Sequence, residues 1–124
     1  MGKLLLVMAG GAVGSGLRHL FGRATLATLG PNYPWGTLGV NLIGGLLMGL
    51  FVGTLARGGG SENARLLIGV GALGGFTTFS AFSLDMVNMV QRGASGAAAL
   101  YALVSVIGAA VALYAGLAIM RAAA

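Results

Sequence analysis

The sequence contains no cysteine, which excludes disulfides and thiol chemistry and leaves the redox compartment unread. It is nearly without acid: Glu62 and Asp85 are its two carboxylate side chains. The single histidine, His19, has no Cys or second His to join it in a transition-metal site, and it reads as an interfacial residue. With no paired acid and base and no nucleophile beside a base, no enzyme constellation can be assembled. Charge of either sign is scarce: 7% of the 124 residues are charged, against about 25% in a soluble domain. The basic residues Lys3, Arg18, Arg23, Arg57, Arg65, Arg92 and Arg121 are scattered, so nothing points to a nucleic-acid partner.

What is abundant is apolar surface and glycine. The chain is 57% hydrophobic with 24 glycines and a net charge of +5, and its mean hydropathy is +0.95. A soluble fold of this composition would have almost no polar surface, so the chain reads as an all-α integral membrane protein, one small bundle in a lipid bilayer. Alternating apolar-out, polar-in strands, which a membrane barrel needs, are absent. Four segments are long enough to cross, at about 3–29, 34–56, 64–92 and 94–121. Lys3 followed by Leu4 to Met8 resembles the start of a signal peptide, but the apolar run continues past the cleavage zone, so it is read as the first crossing.

The third segment is the unusual one. From Leu66 to Leu84 it carries no charge, yet its centre reads Gly74-Gly75-Phe76-Thr77-Thr78. Paired glycines cost a helix about 1 kcal/mol each relative to alanine, and threonine hydroxyls compete for nearby backbone. A break at 74–78 is predicted, with bare carbonyls ending the first half. Such ends suit cations, and the N-terminus of the second half suits anions. Beyond the break Phe79 and Phe82 share a face, as do Ser80 and Ser83. The Gly69–Gly74 stretch matches G-x-G-x-x-G but has no preceding strand, so it is no nucleotide loop.

Other polar residues sit where lipid should be. Thr37, Asn41, Gly45, Gly49 and Gly53 recur every four residues on one stripe of segment two: the glycines are a packing face, and Asn41 either bonds across helices or lines a polar pathway with Thr37. In segment four Tyr101 and Ser105 share a face that Ala109 continues without a hydroxyl. Ser105 either joins the pathway or bonds the carbonyl one turn back. Arg18 is either a snorkelling arginine or a fixed charge at a pore mouth. Asp85 is either functional or the structural partner of an arginine or of backbone. The loop 57–63 is the most polar stretch, and Glu62 in it is expected to be solvated.

Four crossings put Lys3, Arg57, Arg65 and Arg121 on one side and Arg18, Arg23 and Arg92 on the other. Four against three gives no orientation by the positive-inside rule. The expectation is dual topology and an antiparallel homodimer resembling an inverted-repeat transporter. Two main functional readings follow: a passive anion channel, and a proton-coupled exporter of the small-multidrug-resistance kind, for which Asp85 stands too near a segment end. A purely structural subunit would explain the glycine stripes but not the break.

Gly74 to Phe82, the earlier Gly10-Gly11-x-x-Gly14-x-x-x-Arg18 and Asn41-x-x-Gly44 together resemble the Fluc (CrcB) family of small fluoride channels, in the right order and over essentially the whole chain. The resemblance implies an antiparallel dimer in a cell membrane, bacterial inner membrane by family habit, that passively exports cytoplasmic fluoride. It implies a pathway through Asn41, Phe79, Phe82, Tyr101 and Ser105, with Ser80, Ser83 and Thr37 as further donors, and a vestibule holding Arg18 and Asp85. It also implies a structural, non-transported sodium ion on the carbonyls of Gly74 and Thr77. Asp85 stands where the family pattern leads one to expect Glu, and Ala109 where another hydroxyl is common.

Overall fold

A computed structural model describes residues 1–123. Four helical crossings are present, each long and apolar enough to span a bilayer. Helix α1 runs Gly2–Leu29 and α2 Trp35–Ala56. The third crossing is made of two helices, α3 over residues 62–76 and α4 over Ser80–Gln91, and α5 runs Ser95–Ala122. Among the described residues there is no strand.

The boundaries follow from local chemistry. Helix α1 stops at Gly30, whose φ of 81° is left-handed, and Pro31 follows, which suits a helix stop. The Ser61 hydroxyl accepts from Ala64 N at 3.2 Å and caps α3. Beside it Glu62 pairs with Arg65 at the surface, so this acid, though exposed, has a partner.

Close backbone approach holds the bundle together. Helix α2 packs mainly on α5, and α1 mainly on α3. A Cβ added at Gly45 would stand 2.8 Å from Ala109 O, one at Gly49 3.1 Å from Gly116 Cα, and one at Gly53 2.6 Å from Met120 Cβ. This glycine stripe is therefore a helix-packing face, the usual membrane solution where lipid removes the hydrophobic driving force between helices. On the other side, a Cβ at Gly10 would overlap Leu67 O, and one at Gly14 would overlap Ala72 O and stand 2.8 Å from Phe76 N. Most large apolar side chains of α1 and α5 face outward, as expected of lipid-facing helices.

The third crossing departs from its predicted form in two ways. Residues Arg65–Leu73 of α3 are π-wound, with Gly74 N reaching back to Gly69 O; such widened turns are rare and tend to occur at functional sites. The chain also stays helical through Gly74 and Gly75 and leaves the helix at Thr77, which is extended at φ −83°, ψ 156°. The break is thus at 77–79, not 74–78. The reason is packing: a Cβ at Gly75 would stand 2.6 Å from Gly11 O, so Gly75 serves close approach to α1 and the threonines do the breaking.

Candidate functional site: the break and its cavities

Breaking a helix strips carbonyls of their partners. Thr77 N still reaches Leu73 O at 3.0 Å, and the Thr77 hydroxyl bonds the same oxygen at 3.0 Å. The next N–H, that of Thr78, turns away to Asn41 Oδ1 at 2.8 Å, while Thr78 O accepts from Asn41 Nδ2 at 2.9 Å. Asn41 thus embraces one whole peptide edge of the break, as a neighbouring strand would. Gly75 O accepts from Arg18 Nε at 3.1 Å. Among the described residues, the carbonyls of Gly74 and Thr77 receive no hydrogen bond. Thr78 Oγ1 accepts from Ala81 N at 3.2 Å and closes the first turn of α4. The sequence marks Thr78 only as one of two threonines whose hydroxyls compete for backbone; its capping of α4 and its pairing with Asn41 are the parts not read, and a hydroxyl three residues ahead of a helical N–H was the available signal for the cap.

A cavity of about 550 Å³ lies against this break. Asn41, Phe79, Phe82 and Ser105 line it, together with Gly74, Thr77, Thr78 and Ala109. Phe82 is 6% exposed and Phe79 75% exposed, with ring centroids 5.6 Å apart and planes tilted by 57°. Ser105 is buried, and among the described residues its hydroxyl has no hydrogen-bond partner. It does not bond the carbonyl one turn back, the structural alternative weighed for it. A buried, unpaired hydroxyl costs about 1–3 kcal/mol, so its presence in a cavity wall calls for a ligand.

The remaining candidates lie elsewhere. Tyr101 is fully buried, and its O–H donates to Asp85 Oδ2 at 3.1 Å. Asp85 therefore has a phenol for partner rather than an arginine or backbone. Thr37, with Asp85 and Arg92, lines a second cavity of about 310 Å³. The two regions touch through the rings of Phe82 and Tyr101, 5.1 Å apart. A third cavity, also about 310 Å³, holds Arg18, His19 and Arg23 beside Thr37 and Thr78. Ser80 and Ser83 line none of the three, so the face they share is not brought to the site.

The donor set at the break suits a hard cation. Backbone carbonyls at the end of a half-helix are the ligands that membrane transporters use for sodium. Among the described residues no cluster of His, Asp and Glu could hold a metal instead.

Residues 5–117 match the family described as "CrcB-like protein, Camphor Resistance (CrcB)". The chain is 54% identical to a protein of Sphingopyxis alaskensis over 98% of this chain and 97% of the relative. It is 53% identical to one of Mesorhizobium japonicum, covering 98% of each. It is 56% identical to one of Phenylobacterium zucineum, over 98% of this chain and 97% of that one. All three relatives bear the name "Fluoride-specific ion channel FluC". Four apolar crossings, a third crossing broken at its centre and a match from residue 5 to residue 117 lead to one conclusion: this multi-pass membrane protein belongs to the CrcB family.

Proposed function

We propose that this protein is a fluoride-selective passive ion channel, not an enzyme, and that it lets cytoplasmic fluoride out and so relieves fluoride toxicity. Near-full-length identity above 50% to proteins named for that activity supports the ion. The observation that carries the pathway is the buried, partnerless hydroxyl of Ser105 in the cavity of Phe79, Phe82 and Asn41.

A small anion must exchange its water for donors that bind in series and release easily. Ser105 supplies an O–H. Asn41, with one amide hydrogen committed to Thr78, keeps a second. Phe79 and Phe82 supply positive ring edges, which attract an anion without a charge to trap it. Tyr101, Thr37 and Asp85 stand at the end of this line, and Arg23, in the cavity it shares with Arg18 and His19, provides positive potential that gathers anions. Neutral hydrogen fluoride enters a cell and dissociates near neutral pH. The anion then leaves passively, helped by about 2.3 kcal/mol per charge for each 100 mV of inside-negative potential. Asp85 already accepts the Tyr101 O–H, and nothing favours the proton-coupled exporter.

The working unit in this reading is an antiparallel homodimer formed by dual insertion. Its support is the near-even charge count across the membrane and the cavity at the break, where Phe79 is 75% exposed and Val106 61% exposed within one copy. A second copy would wall that cavity. The carbonyls of Gly74 and Thr77 from both copies would hold one sodium ion, which supplies counter-charge to the facing carbonyl ends and ties the two breaks together.

The test is efflux from liposomes loaded with potassium fluoride, started with valinomycin and read on a fluoride electrode. Fast fluoride release with no chloride release from matched vesicles is the expected result. Equal chloride release, or release only under an imposed proton gradient, refutes it. A C-terminal tag found on one side of the membrane alone refutes dual insertion.

A further inference from the structure

We infer that Arg18 acts on ion flux as a positioning residue, through the hydrogen bond of its Nε to Gly75 O, and not through its positive charge. The inference concerns how the proposed channel is held in shape, so its flux test rests on the channel reading.

The geometry begins on α1. Gly14 brings α1 against the backbone of Ala72 and Phe76. Arg18 lies one turn further on, where α1 passes the end of α3, and reaches Gly75 O at 3.1 Å. The spacing Gly14-x-x-x-Arg18 is thus a close contact followed by a brace. That end needs one. Gly75 O would bond Phe79 N if the helix continued, and it cannot once Thr77 turns extended. Gly74 and Gly75 have no side chains to fix their peptide planes by packing. Asn41 fixes the far side of the break through Thr78. Among the described residues, the Arg18 bond is the one side-chain hydrogen bond to a carbonyl of residues 74–76. With it gone, the peptides flanking Gly75 can swing, and the carbonyl of Gly74 and the start of the Phe79 turn move with them.

The charge, by contrast, has a substitute. Arg23 lines the same cavity, and Arg18 makes no ion pair, the one pair among the described residues being Glu62–Arg65. Removing the charge at 18 leaves the cavity basic; removing the Nε donor leaves Gly75 O bare.

Bond counting separates the two roles. The amide nitrogen of glutamine is as many bonds from Cα as arginine Nε, so Arg18→Gln keeps a donor in place without charge. Lysine keeps the charge but carries its nitrogen one bond further out. Methionine offers neither. Citrulline, introduced at position 18 by nonsense suppression, keeps the shape and the Nε–H and loses the charge. Efflux from fluoride-loaded liposomes should run at least about tenfold faster for Arg18→Gln and Arg18→citrulline than for Arg18→Met, with Arg18→Lys near Arg18→Met. Lysine at the wild-type rate with glutamine and citrulline at the methionine level overturns the inference, and so does equal flux in all four. If glutamine disturbs folding, citrulline alone decides. Hydrogen exchange of amides 75–79, read by mass spectrometry on the full-length protein, judges the brace without reference to flux. Exchange should be faster in Arg18→Met than in Arg18→citrulline, and equal exchange overturns the brace even if the wild type conducts no fluoride. Absence of flux in the wild type overturns the channel reading instead.

Discussion

Replacing Ser105 by alanine separates a pathway hydroxyl from a structural one. The hydroxyl is buried and makes no hydrogen bond among the described residues. In the protein without ion it therefore contributes desolvation cost and no compensating bond, about 1–3 kcal/mol. Ser105→Ala should leave thermal stability unchanged or raise it by up to that amount. An anion in the cavity loses a charge-assisted donor worth about 1.5–3 kcal/mol. At about 1.4 kcal/mol per tenfold, flux should fall by roughly 10- to 150-fold if the bond is made at the barrier. It should fall less if the bond is made equally in the well, since a donor that binds both states alike changes affinity more than rate. Cysteine, a weaker donor of similar shape, should fall between. The assays are liposome efflux and the thermal unfolding midpoint of the same preparation. A loss of stability above about 1 kcal/mol with wild-type flux would mean that the hydroxyl serves the fold, and the pathway would have to be redrawn without it.

Phe82→Ile should lower fluoride efflux at least about tenfold while the protein elutes as wild type on gel filtration, because the ring edge is lost and apolar bulk is largely kept; full flux would remove the aromatic contribution. Asn41→Leu leaves Thr78 N and O unpaired. Cross-helix bonds in membranes are worth about 0.6–1.7 kcal/mol each, so losing both should accelerate exchange of the Thr78 amide by roughly 7- to 300-fold at about 1.4 kcal/mol per tenfold, and flux should fall with it. Unchanged exchange would show that the embrace is dispensable. Gly14→Ala should lower the unfolding midpoint, at a cost of about 1–3 kcal/mol, since the added methyl overlaps Ala72 O in rigid backbone; Gly16→Ala, where nothing lies within 4 Å, is the matched control and should not.

How much of this was legible in the sequence depends on the kind of signal. Hydropathy placed all four crossings, because bilayer thickness fixes their length. The glycine stripe of α2 could be read because a four-residue period puts residues on one helix face whatever the neighbour is. The break was foreseen but misplaced. Helix propensity counts Gly74 and Gly75 against a helix, yet Gly75 lies against Gly11, and a tertiary contact overrode the local cost. The π-wound stretch 65–73 had no signal in residue type or period. Ser80 and Ser83 were grouped by helical period, correctly, but a period cannot say which face meets the cavity. For Asp85 the sequence offers a functional role or a structural partner in an arginine or in backbone, and the partner present is the phenol of Tyr101 sixteen residues on, which no helical period relates to it.

The distribution of unpaired groups gives the strongest argument that the break is the working part. In a bilayer every backbone polar group needs a partner, at several kcal/mol for each one left exposed to lipid. In most of this chain helices meet that demand. Around the break, among the described residues, it is unmet at several points together: Gly74 O and Thr77 O lack donors and Phe79 N lacks an acceptor, and beside them the side-chain hydroxyl of Ser105 is alone. All four residues line one cavity. Unpaired groups scattered over a bundle would be defects, each to be removed by one substitution. Acceptors and donors collected in one wall are a binding surface for ions of both signs, provided that something closes it from lipid. The cation site, the anion path and the second copy are therefore one proposal in physical terms, because each satisfies groups that the other two leave bare. A variant that abolishes dimerisation without touching the cavity should consequently lose fluoride flux completely rather than by half, and a monomer that still conducts selectively would break that linkage.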